Sequence, residues 1–350
     1  MLAGLLDHFY RDALLTIPVA LGSGQPSFDC RIAIRLKETL VCVRVCRGHA
    51  VLESRCPLMA GFPACHFEEN MSFAADVRSP QDLLVGDAAP SLYQYRHAFL
   101  AEGDSWFSLS QMPSYSLLYG LRFAESALIV NCARPFDTLR NMVDWRGNEE
   151  FGSLLGPDGT FRWSGILVSG GGNDLINALD HLLLHCPRGS SMDASGLAQL
   201  IDQNNFRLFE AYLRQNFADL IALRDAPGGE NNGVPIFAHA YDYATPRSAM
   251  ASFFGFPAFG PWLDPVMREK NIPEALQIPL ARALQDKLAE VLLSLELPNL
   301  HIVDTRGLLT PAALGSEGSD GDWCNEIHPS RAGYAKLAQR WDEVIAAVVS

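Results

Sequence analysis

From about residue 95 onward, apolar positions along the chain follow two alternating patterns. Five short runs are continuously apolar and end in turn signals: 98–101, 127–130, 165–168, 236–238 and 300–303. A strand covered on both faces, as in a parallel sheet, reads this way rather than as an alternation. Between the runs the spacing switches to threes and fours. Leu175, Leu179, Leu182 and Leu183 share one face of a helix predicted over 174–186. Phe209, Leu213, Phe217 and Leu220 do the same over 206–223, and Leu284, Leu288, Val291, Leu292 and Leu295 over 279–295. Tyr334, Leu337, Ala338, Trp341, Ile345 and Val348 mark a last helix. Strands alternating with helices predict right-handed βαβ crossovers and a parallel sheet in an α/β fold.

Two intervals exceed what one crossover needs. Residues 187–234 and 243–298 read as helical insertions, the first ending in a turn-rich run over 225–233. The second carries an aromatic run over 253–262 that reads as part core and part pocket wall. Residues 307–324 are rich in Gly, Ser and Asp and read as a loop. The chain before residue 96 has no such rhythm, so 1–95 is expected to be an N-terminal extension and 96–350 the main domain.

Composition sharpens this division. Residues 1–70 hold 7 basic and 7 acidic side chains, whereas the remaining 280 hold 20 and 33 and so carry the whole net charge of −13. An acidic surface repels phosphate backbones, which argues against nucleic-acid binding. No apolar run is long enough to cross a bilayer, so no integral membrane association is expected. Cys30, Cys42, Cys46, Cys56 and Cys65 all fall in the first 70 residues, but without the spacing of a zinc site, and no metal is expected there. The apolar stretch 13–21 follows Asp7 and Asp12 with only Arg11 as a basic residue, a poor secretory signal, and a cytoplasmic location is the expectation. Met71 opens the acidic portion and marks an alternative start.

The chemistry sits after the strands, at the sheet edge where ligands bind in open α/β folds. Gly103, Asp104 and Ser105 follow the first strand, and Arg134, Pro135, Phe136 and Asp137 follow the second. Gly170, Gly171, Gly172 and Asn173 follow the third, and His328 lies beyond the fifth. A serine hydroxyl becomes a nucleophile when a base such as His328 takes its proton. The oxyanion formed in acyl transfer needs donors already in place. Ser105 N–H, the N–H of Phe136 and the Asn173 amide can supply them. His239 and Tyr241 end the fourth strand on the same edge and are candidate pocket-lining residues.

The ordered set Gly103-Asp-Ser105, Gly171-x-Asn173 and His328-Pro-Ser330 resembles the SGNH/GDSL hydrolases, over roughly residues 96–350. The resemblance implies a three-layer α/β/α sandwich with a five-stranded parallel sheet of flavodoxin-like order. It implies Ser105 as nucleophile, His328 as base and Asn173 as oxyanion donor, with no cofactor. Two positions depart from the family pattern. Phe136 stands where a glycine usually supplies a backbone donor. Asn325 stands where an aspartate usually precedes the histidine by three residues. An asparagine can orient an imidazole but cannot stabilise imidazolium by charge. Asp322 is therefore the leading candidate to orient His328, with Glu326, Asn325 and an unassisted Ser–His pair as alternatives.

These readings converge on a serine esterase that cleaves a small-molecule or lipid-like carboxylic ester through an acyl-enzyme on Ser105. The alternatives are an acyltransferase using the same intermediate and a non-catalytic binding module on the same fold. The sequence carries no signal of oligomeric state.

Overall fold

The computed structural model describes residues 30–36, 39–46, 49–53, 72–83, 91–108, 115–144, 146–189, 192–253 and 256–349. Its side chains are described from residue 72 onward, except those of 194, 253, 256 and 257. The chain divides into two units, 1–68 and 69–350. In the first, strands Cys30–Leu36, Thr39–Cys46 and His49–Glu53 pair antiparallel in chain order. Cys30, Cys42 and Cys46 fall on these strands, whereas Cys56 and Cys65 lie outside the described residues.

The second unit is built on a parallel sheet of six strands. They are β1 (Asp76–Arg78), β2 (His97–Gly103), β3 (Ala127–Asn131), β4 (Gly165–Ser169), β5 (Ile236–Ala240) and β6 (Leu300–Asp304). Their order across the sheet is β6-β5-β4-β2-β3-β1. The five apolar runs are thus all strands and lie in flavodoxin-like order, second-first-third-fourth-fifth. Their continuous apolar character has the expected cause. Phe99, Leu100, Leu128, Ile129, Ile166, Leu167, Ile236 and Phe237 are all fully buried, since helices cover both faces.

The sheet has one strand more than the sequence pattern predicts. β1 pairs with β3, Val77 opposite Ile129, and comes from the segment 1–95 that reads as an extension. Its three residues contain a single apolar side chain, flanked by an Asp76–Arg78 ion pair at 2.7 Å, so no apolar run announces it. The main unit therefore begins before residue 96.

Four long helices pack on this sheet: α1 (Gly172–Leu182), α2 (Gln203–Arg224), α3 (Glu274–Leu293) and α4 (Arg331–Val348). The pleat decides which face each covers. From β5, His239 points to α4 and meets Trp341 at a ring-centroid distance of 5.5 Å. From β2, Glu102 points to the opposite layer and meets Asn148. Capping sets the helix starts. Asp202 accepts from Asn204 and Asn205 N–H at α2, and the Ser330 hydroxyl accepts from Gly333 N–H at α4. Pro279 does not open α3 as the pattern suggests but lies inside it. Buried Leu276 and Gln277 hold the preceding turn on the core, and this packing outweighs the hydrogen bond that proline cannot donate.

Because β1 closes the β3 edge, a chain beginning at Met71 retains the complete sheet. It is expected to be soluble, to unfold in one cooperative thermal transition and to keep the activity of the full chain. Insolubility or loss of that transition would show that residues 1–70 are needed by the core.

Candidate active site

The sheet register brings the chemistry together. Gly103 pairs with Ser169 at the ends of β2 and β4, and Asp104 N–H donates to Ser169 O at 2.9 Å. A Cβ at Gly103 would lie 2.8 Å from Ser169 Cβ, so only glycine allows this approach. Gly171 has φ +106°, a left-handed conformation that turns the chain from β4 directly into α1. Ser105 and Asn173 thus leave neighbouring strands within a few residues of their ends.

Asp104 anchors the turn that carries Ser105. Its buried carboxylate accepts from Trp106 N–H at 2.9 Å, from the Ser169 hydroxyl at 2.8 Å and from the Tyr241 hydroxyl. Burial pushes this carboxyl up to about 6, against the pull of those donors. With its proton given to Asp104, the Ser169 hydroxyl accepts from His239 Nε2, 3.0 Å away. His239 is fully buried between Phe107, Trp106 and Trp341, and burial pushes it down to about 3, so it is neutral. Tyr241 is among the residues that line the cavity at Ser105. His239 lies beneath that cavity as part of its support, which corrects its expected lining role.

His328 Nε2 lies 2.7 Å from Ser105 Oγ. Its other ring nitrogen, Nδ1, lies 3.0 Å from Asn325 Oδ1. That oxygen also accepts from the backbone N–H of His328 at 2.9 Å and of Ile327 at 3.1 Å. The two backbone donors identify it as the amide oxygen, and an oxygen only accepts, so Nδ1 carries the hydrogen. The Nε2 lone pair is then free to accept the Ser105 proton. Burial pushes the His328 imidazole down to about 4, which keeps it neutral, with Nε2 unprotonated, well below neutral pH. The Trp262 ring stands edge-on to it, with centroids 5.5 Å apart.

The carboxylates proposed for this position are engaged elsewhere. Asp322 Oδ2 accepts from Thr310 N–H at 2.6 Å and pairs with Lys336, tying the 307–324 loop to α4. Glu326 accepts from four backbone N–H groups, those of Arg247, Trp262, Leu263 and Asp264. Burial still raises it to about 7. It clamps the 247–264 segment beside His328 and does not touch the imidazole. Asn325 is therefore the group on His328, although the sequence ranks it behind Asp322. Spacing favoured the asparagine, and the ranking was decided by charge.

Around Ser105 the donors are in place. The N–H groups of Ser105 and Phe136 have no acceptor among the described residues. Asn173 Nδ2 donates one hydrogen to Asp137 O at 2.9 Å, which fixes the amide and leaves its second hydrogen available. Phe136 has φ +64°, the conformation that glycine adopts freely, at a cost of about 1–2 kcal/mol for a residue with a Cβ. Its ring is half exposed and packs edge-on against Phe259 at 5.1 Å. Asp174, next to Asn173, accepts from Leu139 N–H at 3.1 Å and from the Tyr212 hydroxyl, and so braces the turn after Asp137. Sequence reasoning missed the role of Ser169, and it placed Trp262 only within an aromatic run read as part pocket wall, without its contact to His328. The only signal for Asp104 is its place between Gly103 and Ser105.

Comparison with protein-family models and with curated protein sequences gives no match. Solved structures offer distant likenesses. The salicylyl-acyltransferase SsfX3 from a tetracycline biosynthetic pathway is 14% identical, with a TM-score of 0.31 over 72% of this chain. The present chain spans about half, 54%, of that protein's length. The native aryl esterase of M. smegmatis is 12% identical, with a TM-score of 0.38 over 72% of this chain and 99% of its own. Est24, a carbohydrate acetylesterase from Sinorhizobium meliloti, is 14% identical, with a TM-score of 0.33 over 72% and 99%. The fold stands on the strand order above, and these likenesses add no functional argument.

The site geometry has two measurable consequences. Asp322→Asn is expected to lower stability by about 1–3 kcal/mol, through weakened hydrogen bonds to a charged group, while kcat on a nitrophenyl ester stays within about threefold of wild type. A large fall in kcat at unchanged stability would restore Asp322 to the mechanism. The second consequence concerns pH. A base must be neutral, so kcat/KM should hold from neutral pH down to about 5 and fall below about 4. Asn325→Asp places a negative charge on Nδ1, which favours imidazolium, so the acid limb must move to higher pH. A limb that stays fixed or moves down contradicts the assignment of His328 as base.

Proposed function

We propose that this protein is a serine hydrolase of the SGNH/GDSL type that cleaves short-chain carboxylic esters through an acyl-enzyme. The observation that carries this reading is the ordered contact of Ser105 Oγ, 2.7 Å from His328 Nε2, with His328 Nδ1 held by Asn325 Oδ1 at 3.0 Å. In the proposed reaction Ser105 Oγ attacks the ester carbonyl carbon as its proton passes to Nε2. The carbonyl oxygen becomes an oxyanion that takes hydrogen bonds from Ser105 N–H, Phe136 N–H and Asn173. Collapse breaks the bond to the alcohol oxygen, which leaves with the proton from Nε2. Water then attacks the acyl-serine, giving its proton to Nε2. Release of the carboxylic acid returns that proton to Ser105.

The imidazolium formed in each half has Asn325 rather than a carboxylate on Nδ1. It is stabilised by an amide dipole, not a full charge, which predicts a slower enzyme than its Asn325→Asp variant. The cavity beside Ser105 is the proposed place of the acyl group. A cavity of about 50 Å3 touches Ser105 and Asn173 and is walled by Leu175, Ile176, Leu263 and Leu288. A water-sized group needs roughly 10–15 Å3, so the slot suits an acyl group of a few heavy atoms rather than a fatty chain.

A nitrophenyl ester series tests both parts. Turnover is expected on the acetate, with kcat/KM on the octanoate lower by at least about tenfold, as a crowded apolar pocket discriminates. Ser105→Ala should abolish turnover without changing the thermal transition. An active Ser105→Ala variant would contradict the mechanism, and an octanoate preference would contradict the acyl assignment.

A further inference from the structure

The slot beside Ser105 is not wholly apolar. Gln285 lies in α3, one turn before Leu288, and both residues line the slot that Ser105 and Asn173 also line. The glutamine is only 9% exposed. Its Oε1 is buried with no hydrogen-bond partner, and its Nε2 has none among the described residues. Trp323, on the same wall, is 1% exposed, and its Nε1–H is likewise buried with no partner. Both atoms are shut off from bulk water, so solvent does not supply the missing bonds.

The fold gains nothing from this arrangement. A buried amide that pairs with nothing has given up water without a replacement, and an apolar side chain of similar length would fill the space without that cost. Neither carboxylate on the wall relieves it. Asp242 accepts from the N–H groups of Tyr243 and Gly307 on Oδ1, at 2.6 and 2.7 Å, and from Leu309 N–H on Oδ2 at 2.7 Å. Asp104 is taken by Trp106 N–H and the Ser169 and Tyr241 hydroxyls. The Gln285 amide, held by no bond, is free to turn about its last torsion and present either its oxygen or its N–H to a ligand.

This chemistry selects among short acyl groups. A chain of CH2 and CH3 groups would pack on Ile176 and Leu288 but leave the amide and the indole N–H unpaired. A carboxylate or a ketone only accepts, and a carboxylate would also face Asp104 and Asp242. An ammonium only donates, and both carboxylates that would balance its charge are already engaged. A hydroxyl does both. Its hydrogen goes to the amide oxygen, and its oxygen accepts from an amide or indole N–H.

We propose that Gln285 determines acyl specificity and that the acyl group is a short aliphatic hydroxyacyl whose hydroxyl pairs with the Gln285 amide. The proposal rests on the hydrolase reading above and on the acyl slot assigned there. The hydroxyl takes no part in bond making. Ser105 Oγ bonds to the carbonyl carbon, the alcohol leaves with the proton from His328 Nε2, and water releases the hydroxy acid from Ser105.

The test uses two pairs of ethyl esters that differ by a hydroxyl in place of a methyl group, followed by titration of the acid released. They are 3-hydroxybutyrate against 3-methylbutyrate, and lactate against isobutyrate. Wild type is expected to prefer the hydroxy ester in at least one pair. In Gln285→Met and Gln285→Leu that ratio of kcat/KM values should fall about tenfold, the cost of one good hydrogen bond to substrate. Comparing each variant with wild type removes any difference in intrinsic reactivity between the two esters. Both variants are expected to keep or raise the thermal midpoint, since an unpaired polar group is lost. Turnover of 4-nitrophenyl acetate by wild type without a hydroxy preference in either pair overturns the hydroxyacyl assignment and leaves the hydrolase reading intact. A preference that is unmoved in the folded variants does the same. No turnover of any ester by wild type overturns both.

Discussion

The close approach of two strand ends, Gly103 against Ser169, is the constraint on which the site depends. There is no room for a Cβ at Gly103, and the 2.9 Å bond from Asp104 N–H to Ser169 O ties the two chains at that point. Everything that follows each strand inherits the registration. The Ser105 turn emerges from one, and the glycine turn into α1, with Asn173 in its first turn, emerges from the other. The Asp104 carboxylate then locks the two together, through Trp106 N–H on its own turn, the Ser169 hydroxyl on β4 and the Tyr241 hydroxyl after β5. The proposed nucleophile and the proposed oxyanion donor are held by the sheet itself rather than by flexible loops, which is what preorganised catalysis requires.

The histidine side is built differently. His328 comes from a long connection, so its position depends on polar bonds instead of strand register. Asn325 Oδ1 gathers the imidazole and two backbone N–H groups. Glu326, one residue on, gathers four N–H groups of the facing segment. Arg247 closes the arrangement by donating to Asn325 O at 2.7 Å. The charge that commonly sits behind a catalytic histidine is here one residue further along and serves to fasten the loop. The imidazole is left with an orienting amide in an apolar setting, and burial lowers its proton affinity.

Much of this was legible in the sequence because it followed from local rules. The five buried strands announced themselves as unbroken apolar runs, and the helices as runs with apolar steps of three and four. Ser105, Asn173 and His328 stood out because each follows a strand or lies in the C-terminal block of one recurring pattern. What could not be read needed tertiary packing. β1 has one apolar residue, Val77, and is a strand only because β3 offers it an edge. The extra turn at the start of α3 exists because Leu276 and Gln277 find a place in the core despite Pro279. The roles of Asp322, Glu326 and Asn325 were ordered by charge, and charge was the wrong guide. The two carboxylates are satisfied by Lys336, Thr310 N–H and a ring of backbone donors that no spacing rule could reveal. His239 had the location of a pocket residue but the alternation of β5 turns it under the floor.

The central claim is that Ser105 is a nucleophile activated by His328. Its most direct test is treatment of the folded full-length chain with a fluorophosphonate, followed by peptide mapping of the adduct. A single phosphonyl group on Ser105, lost in His328→Ala, is the predicted result, because the buried serine is reactive only when Nε2 takes its proton. Folded protein that acquires no adduct, or acquires it on another residue, would contradict the account.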